Sequence, residues 1–329
     1  MQTKISRPLL LLLLGGVFVV GVIANQYKII NLDSIFCDSE KFKFINRELA
    51  CEEPFIVKKH AYSEVRNRIL EFVDDKVESG EIFELALYFR DLENGPTLGI
   101  NEHSNFAPAS LLKVPLLLAF LAQSEEQPDL LDKTVTYRTT QDVVLDQLIP
   151  PQKTIQENTQ YSVREILIYL IKYSDNRAYI VLTKYLQQMS PDFDLFSDTI
   201  RSLGIIDPQG ILDETISVKS YASIFLQLFH ASFLKKETSE QALGFLADTD
   251  FRVGIVAGVP KDITVAHKFG ERSGFDGGIK QLHDCGIIYY PDNPYLVCIM
   301  TRGHDLDQLT KVIGEVSKII YEEFNSRRI

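Results

Sequence analysis

The chain has 329 residues, a formal net charge of -11 at pH 7 and an isoelectric point of about 5.1. Its apolar fraction of 45% and charged fraction of 24% are ordinary for a globular protein, and its length allows a large core. The acidic balance argues against a nucleic-acid partner. Zinc-finger cysteine spacing and an H-x-x-x-H pattern are both missing, so we expect no metal site and no cofactor.

The first 25 residues differ from the rest of the chain. Lys4 and Arg7 precede an apolar run over residues 9–24, which as a helix would span roughly 24 Å against a hydrocarbon core of roughly 30 Å. This run predicts either a membrane anchor or a cleaved signal peptide, and both place the remainder outside the cytoplasm. Residues 26–60 show no clear period and predict an extracytoplasmic linker, followed by one domain over residues 61–329.

The four cysteines are compatible with export, because an even count permits disulfides outside the cytoplasm. Within the linker we favour a Cys37–Cys51 pairing. Cys285 and Cys298 lie on two predicted strands joined by a turn, where they can form a disulfide or remain as two buried thiols.

The domain is predicted to begin with an amphipathic helix over residues 62–77. A strand over residues 83–89 and a return strand starting at residues 97–100 follow it, joined by a turn. Together these elements predict a helix packed beside a hairpin.

The next stretch places a serine and a lysine at the start of an apolar run over residues 106–120. Pro108 suits a first helical position, and Ser110 and Lys113 are three residues apart, so they share one helix face. A lysine at the edge of a core that loses its proton could activate the neighbouring serine as a nucleophile. A second S-x-x-K, Ser232–Lys235, is interpreted as the polar end of a helix.

Residues 129–160 are polar and predict surface loops with short helical pieces. Ser162 and Glu165 form a capping-box pattern that opens a helix, and the helix ends at the sequence Ser174-Asp175-Asn176. A second helix runs to Met189, which places this trio at a corner between two helices. Residues 200–214 are irregular, Ser217 begins an apolar helix to about residue 233, and residues 238–241 are predicted to cap another helix.

The end of the domain returns to strands. Residues 264–270, 281–290 and 295–301 predict three strands, and Asp305 caps a terminal helix over residues 306–324. Terminal helices around hairpin-linked strands predict an α+β fold with an antiparallel sheet. The mostly helical residues 110–250 predict a second, all-helical lobe.

Three motifs now stand in order: S-x-x-K at Ser110–Lys113, S-D-N at Ser174–Asn176 and K-x-G at Lys268–Gly270. In this order and on these elements, the chain resembles the class A β-lactamase-like serine hydrolases over roughly residues 62–324. The resemblance implies a β-lactamase-like fold with the active site between the sheet and the helical lobe. The resemblance implies that Ser110 is a nucleophile forming an acyl-enzyme and that Lys113 is its base or proton shuttle. It further implies that Ser174 relays a proton to the leaving nitrogen and that Lys268 adds positive charge beside it.

The same resemblance implies three substrate-binding positions. Asn176 would hold the acylamide chain of the substrate, and Gly270 lies on the substrate-binding strand. The backbone N–H groups of Ser110 and Glu271 would form the oxyanion hole, where each donor typically contributes about 2.7–4 kcal/mol to transition-state stabilisation.

Two positions depart from the family pattern. Phe269 stands where the family usually has Thr or Ser, whose hydroxyl binds a substrate carboxylate. The family's loop glutamate, which activates the deacylating water, has only Glu214 as a candidate, and that side chain is more simply interpreted as solvated. His267 is interpreted as a packed or hydrogen-bonded strand residue, while His283 and Asp284 occupy the region where the family often has an arginine.

Three functions follow as alternatives. The first is an exported serine hydrolase acting on a β-lactam or a related cell-wall amide. The second is a penicillin-binding D,D-peptidase with slow deacylation, and the third is a non-catalytic cell-wall binding protein on the same fold. We expect a small-molecule or peptidoglycan-like substrate, membrane association through the N-terminal segment, and a monomer. A Ser-His-Asp esterase is disfavoured because no G-x-S-x-G occurs.

Overall fold

A computed structural model of the chain describes residues 43–44, 62–93, 95–138, 147–205, 215–274 and 278–326. By its internal contacts the chain separates into Met1–Phe42 with Arg47–Pro54, and Lys43–Asn46 with Phe55–Ile329. Every described residue belongs to the second of these units. The predicted anchor or signal peptide and the predicted Cys37–Cys51 pairing lie outside the described residues. In the described part of the chain, no helix combines the length and apolarity needed to cross a membrane.

The secondary structure is mixed. The strands are β1 (Glu84–Asp91), β2 (Thr97–Ile100), β3 (Asn105–Phe106), β4 (Thr134–Thr136), β5 (Gln160–Ser162), β6 (Ile216–Ser217), β7 (Val265–Ser273), β8 (Lys280–Ile288) and β9 (Tyr295–Gly303). The α-helices are α1 (Ser63–Glu78), α2 (Lys113–Glu126), α3 (Val163–Lys172), α4 (Asn176–Met189), α5 (Leu195–Ser202), α6 (Val218–Phe229), α7 (Lys236–Ala247) and α8 (Leu306–Ser326).

Five strands form one antiparallel sheet in the order β2-β1-β9-β8-β7. The predicted α+β fold, with an antiparallel sheet flanked by an N-terminal and a C-terminal helix, is confirmed. In this register Cys285 lies opposite Cys298, and the two are joined in a disulfide rather than left as free thiols. Strand β7 ends the sheet order, so one of its edges is available to the helical lobe.

One core lies between the sheet and helices α1 and α8. It contains fully buried apolar side chains from each of these elements, such as Ile69, Leu87 and Ile313. Helix α2 organises the helical lobe, where it contacts α3, α4, α5 and α7. Its residues from Lys113 to Leu121 are all buried, and burial of each large apolar side chain stabilises the fold by roughly 1.5–3 kcal/mol.

The capping predictions are confirmed at two helices. Ser162 accepts a hydrogen bond from the Glu165 N–H while the Glu165 carboxylate accepts from the Ser162 N–H, which is the reciprocal pattern of a capping box. Asp305 accepts from the Gln308 N–H at the start of α8. These local hydrogen bonds fix where α3 and α8 begin.

Three local predictions are wrong. Residues 129–160 contain strand β4, which pairs with β5 to form a small antiparallel ribbon. Helix α5 extends over residues 200–202, which were predicted to be irregular, and Asp194 caps its start by accepting from the Ser197 N–H. Helix α7 begins at Lys236, so residues 238–241 lie inside its first turns instead of capping it.

Two residues of the predicted linker contact the domain. The N–H groups of Lys43 and Phe44 both donate to the Glu240 carboxylate, at 2.8 Å each. The Tyr289 hydroxyl donates to the Phe44 carbonyl at 2.7 Å, and the two rings pack edge to face. Residues 43–44 therefore lie against α7 and the end of β8.

Candidate active site

The segment that carries Ser110 is a short 3-10 helix, Ala109–Leu112, which leads directly into α2. Ala109 has a φ of 49°, a left-handed conformation that is strained for a residue with a Cβ. The Tyr221 hydroxyl donates to the Leu111 carbonyl at 3.0 Å and so holds this turn from the helical side. The strained residue before Ser110 is thus stabilised by contacts around it.

Two side chains of strand β8 bind the backbone of Ala107, three residues before Ser110, through both its N–H and its carbonyl. Its N–H donates to Gln281 Oε1 and its carbonyl accepts from His283 Nε2, each at 3.0 Å. Burial lowers the pKa of His283 to about 4, so its imidazole is neutral at physiological pH. Strand β8 therefore fixes the position of the chain that enters the Ser110 turn.

Gly270 allows β7 to approach this turn closely. A Cβ at Gly270 would lie 3.0 Å from the Leu111 nitrogen and 3.1 Å from the Pro108 carbonyl oxygen. Both neighbours are backbone atoms that flank Ser110, so a larger residue would move the strand away from the serine. Gly270 thus sets the distance between the edge strand and the serine-bearing turn.

The Lys113 amine contacts four polar atoms of the site. Its side chain is 2% exposed, and Nζ contacts Ser110 Oγ at 3.0 Å, the Ser174 carbonyl at 2.6 Å and Ser174 Oγ at 3.0 Å. It also contacts Asn176 Oδ1 at 2.7 Å. One lysine therefore links the S-x-x-K motif directly to the S-D-N motif.

Burial lowers the pKa of Lys113 to about 7, against smaller opposing effects of the Asp175 and Glu271 carboxylates. Three of the four contacts account for a neutral amine. The Ser174 carbonyl and Asn176 Oδ1 can only accept, which uses both N–H donors of an amine. Its lone pair is then free to accept from the Ser110 hydroxyl.

Ser174 lies at the corner between α3 and α4, as predicted. It is 1% exposed and has a φ of 55°, a second strained non-glycine position in the site. Its carbonyl accepts from Lys113 and, at 3.1 Å, from the Gln147 side chain. These hydrogen bonds hold the strained backbone that aims the Ser174 hydroxyl between the two lysines.

Asp175 anchors the same corner. Its buried carboxylate caps α4 by accepting from the Arg177 N–H at 2.9 Å, and it accepts from the Ile155 N–H at 2.9 Å and the Thr154 hydroxyl at 3.0 Å. Burial raises the pKa of this carboxyl, and the hydrogen bonds and Lys113 act in the opposite direction. Asp175 thus ties the corner to the 154–155 loop.

Lys268 reaches the site from β7. It is fully buried, and its Nζ donates to Ser174 Oγ at 2.9 Å and to the Phe269 carbonyl at 2.8 Å. Burial, followed by the nearby charge of Lys113, lowers its pKa well below the ordinary value for a lysine. Ser174 Oγ is therefore shared by Lys113 and Lys268.

The structure brings all seven predicted site residues to one place. Ser110, Lys113, Ser174, Asn176 and Lys268 are joined by hydrogen bonds, and Gly270 packs against the serine turn. The Glu271 carboxylate is close enough to raise the pKa values of both lysines. The predicted oxyanion role of the Ser110 and Glu271 N–H groups stays a prediction, and Glu214 lies outside the described residues.

His267, which the sequence analysis considered beside the site, has a hydrogen-bond partner on the neighbouring strand. His267 is fully buried and its Nδ1 lies 2.8 Å from Asp284 Oδ1, in agreement with its interpretation as a packed strand residue. Within the described residues, no group of three or more His, Cys, Asp or Glu side chains is arranged to hold a metal ion.

Gln147 and Phe251 were missed by the sequence reasoning. Gln147 supports Ser174, and the Phe251 ring stacks on Phe269 with centroids 4.0 Å apart. Neither belongs to a motif, and each contacts a partner that lies at least 18 positions away in the chain. Nothing in the local sequence pattern therefore signals either contact.

Most of this chain is similar in sequence to known proteins. The sequence profile of the family described as "Beta-lactamase enzyme family" matches residues 65–324. A protein of Bacteroides uniformis named "Beta-lactamase" is 22% identical over 289 residues, covering 81% of this chain and 93% of that protein.

Solved structures show the same fold. A variant of PBP-A solved as an acyl-enzyme complex with penicillin G superposes with a TM-score of 0.64 at 23% identity, covering 80% of this chain and 97% of that one. A class A β-lactamase from Mycobacterium abscessus superposes with a TM-score of 0.64 at 21% identity, covering 79% and 99%. At these identities the superpositions establish a shared fold.

Proposed function

This chain belongs to the Beta-lactamase enzyme family, and we propose that it is a serine hydrolase that forms an acyl-enzyme at Ser110. The observation that carries the proposal is the 3.0 Å contact between Lys113 Nζ and Ser110 Oγ, made by a buried lysine whose pKa is lowered to about 7. A serine nucleophile needs a base, and a lysine with this pKa supplies a neutral amine that can act as that base at neutral pH.

The acylation step follows from these contacts. Neutral Lys113 takes the proton of the Ser110 hydroxyl as Oγ bonds to the acyl carbon of the substrate. The carbonyl oxygen becomes an oxyanion, which we assign to the backbone N–H groups of Ser110 and Glu271. Preorganised donors favour this charge because they need no reorientation when it forms.

The leaving nitrogen then needs a proton. Ser174 Oγ lies 3.0 Å from Lys113 Nζ, so Ser174 donates its own proton to the nitrogen while Lys113 returns one to Ser174. The bond between carbon and nitrogen breaks, and the acyl group stays on Ser110. Lys268 keeps the Ser174 hydroxyl oriented from the other side, at 2.9 Å. Water finally releases the acid and restores the serine.

A second candidate is a penicillin-binding D,D-peptidase with a long-lived acyl-enzyme. Within the described residues, no carboxylate accepts a hydrogen bond from Ser110 or Lys113, and the nearest buried ones, Asp175 and Glu271, are bound to backbone N–H groups. A deacylating base is thus less well supported than the acylating one. We propose a β-lactam or a related cell-wall amide as the substrate class for both candidates.

The location of the protein is part of the proposal. Members of this family are typically exported. The basic residues and apolar run at the start of the chain support an exported domain, with that segment as an anchor or a signal peptide.

The test mixes the full chain with penicillin G and, separately, with its methyl ester, and follows intact mass and free substrate over minutes to hours. A lasting adduct indicates slow deacylation, and consumption without a lasting adduct indicates a β-lactamase. Both should disappear in Ser110→Ala. An adduct that persists in this variant contradicts the assignment of Ser110, while no reaction with either compound favours a non-catalytic binding protein.

A further inference from the structure

An aromatic pair covers Lys268 at the edge of the sheet. The Phe269 and Phe251 rings stack with centroids 4.0 Å apart and planes at 17°. Lys268 Nζ lies 4.0 Å from the centroid of the Phe269 ring. Lys268 is fully buried and Phe269 is 5% exposed, so the lysine presents no surface to a substrate. Its polar contacts are Ser174 Oγ and the Phe269 carbonyl.

A carboxylate adds negative charge on the same strand. Glu271 lies two positions after Phe269, so both side chains leave β7 on the same face. It is 9% exposed, and its carboxylate accepts from the backbone N–H groups of Leu148 and Ile149. Glu271 raises the pKa values of Lys113 and Lys268, which shows that its field reaches both lysines.

These two features oppose the binding of a substrate anion. A carboxylate that leaves water needs a hydrogen-bond donor or a cation to replace its hydration. At position 269 an aromatic ring replaces any hydroxyl, and the Lys268 amine is enclosed behind it. The Glu271 carboxylate repels a second negative charge and attracts a cation.

We propose that this site takes acyl substrates whose group beside β7 is neutral or positively charged, not a carboxylate. This inference rests on the proposed acylation of Ser110 and names its substrate class. Lys268 then acts as a positioning residue for Ser174, and Phe269 and Glu271 determine the charge that the site accepts.

The test uses three probes that share one β-lactam ring and differ in charge at a single place. They are penicillin G with its free carboxylate, its neutral methyl ester and its cationic dimethylaminoethyl ester. The second-order rate constant for adduct formation at Ser110 is measured by intact mass on the full chain. We expect both esters to react at least about ten-fold faster than the free acid, because the anion lacks a donor.

Two variants assign the effect to its residues. Phe269→Thr supplies a hydroxyl and uncovers Lys268, so the ratio of ester to acid rate constants should fall about ten-fold. Glu271→Gln keeps a carbonyl oxygen for Leu148 and Ile149 but removes the charge, so the ratio of the rate constants of the cationic ester and the methyl ester should fall. The exposed Phe193→Thr and Glu157→Gln are matched controls and should leave both ratios unchanged.

The outcomes are separable. If wild-type Ser110 reacts with the free acid as fast as with the esters, the charge preference is overturned while the proposed function stands. If none of the three probes forms an adduct and none is consumed, both the proposed function and this inference are overturned. The comparison among probes on the wild-type chain decides the matter even if Phe269→Thr fails to fold.

Discussion

The Nζ atoms of Lys113 and Lys268 lie within hydrogen-bond distance of the same hydroxyl, Ser174 Oγ, at 3.0 and 2.9 Å. Two ammonium groups this close repel each other, and both lie where water cannot screen them. Burial is the largest cause of the lowered pKa at each lysine, and the charge of Lys113 lowers the pKa of Lys268 further. The fold therefore favours deprotonation of a lysine beside the serine near neutral pH.

Acylation should depend on pH through Lys113. Its pKa of about 7 means that the neutral amine is lost as the pH falls below that value. The second-order rate constant for adduct formation reports the free enzyme, and it should fall towards ten-fold per pH unit on the acid side. This rate constant is measured by mass spectrometry of adduct formation between pH 5 and 9. A rate constant that does not change from pH 5 to 8 would exclude Lys113 as the base.

Stability should depend on pH through the same residue. The folded-state pKa of about 7 lies below the ordinary 10.5, so the unfolded chain binds more protons between these values. Stability should consequently rise with pH across this window, by at most about 1.4 kcal/mol per pH unit from this one group. Lys113→Met should flatten the dependence.

Chemical denaturation at pH 7.5 and 9 measures this difference. Lys268 contributes its own pH dependence in both proteins. Because the charge of Lys113 lowers the pKa of Lys268, the difference between wild type and variant measures Lys113 together with this coupling. The exposed Lys184→Met serves as the control and should keep the wild-type dependence. Equal pH dependence in wild type and Lys113→Met would show that burial does not perturb Lys113.

Much of the fold could be predicted because its signals are local. The amphipathic period of α1 and the reciprocal hydrogen bonds of Ser162 and Glu165 act within one turn of a helix. The order of the three motifs, through the family resemblance that it carries, also named the seven site residues that the structure brings together. Helix α5 was missed because its cap, Asp194, follows a polar stretch without a clear apolar period.

The rest of the site depends on contacts between distant residues. Phe251 stacks on the Phe269 ring that lies against Lys268, yet residue 251 follows helix α7 and belongs to no motif. The hydrogen bond from Gln147 to Ser174 joins residues 27 positions apart. Likewise, the sequence showed that Phe269 replaces a hydroxyl, but only the packing showed that its ring encloses the lysine.

Asp175 should be more important for stability than an ordinary helix cap. Its buried carboxylate accepts three hydrogen bonds, and Asp175→Ala leaves the Ile155 N–H buried without that partner. We expect a loss of about 3 kcal/mol in the free energy of unfolding. Asp194→Ala is the matched control, since Asp194 caps α5 at the surface and should cost only about 1 kcal/mol. Similar losses in the two variants, measured by urea denaturation, would contradict the anchoring role of Asp175.

Gly270→Ala should separate β7 from the serine turn. The added Cβ would meet the Leu111 nitrogen at 3.0 Å and the Pro108 oxygen at 3.1 Å, and these backbone atoms cannot rotate away as a side chain could. We expect a loss of about 1–3 kcal/mol in the free energy of unfolding, typical of overpacking. Acylation should slow by at least about ten-fold, because Ser110 lies between the two displaced residues.

Gly244→Ala is the matched control for this substitution. Gly244 lies inside α7, where a Cβ would meet its nearest neighbour, the Phe44 ring, at an ordinary 3.7 Å. Alanine favours helix over glycine, so this variant should gain roughly 0.5–1 kcal/mol and keep the wild-type acylation rate. Denaturation curves and adduct formation are measured on both variants. If Gly270→Ala matches Gly244→Ala in both measurements, the close approach of β7 to the turn is not required, and the distance between strand and serine must be set elsewhere.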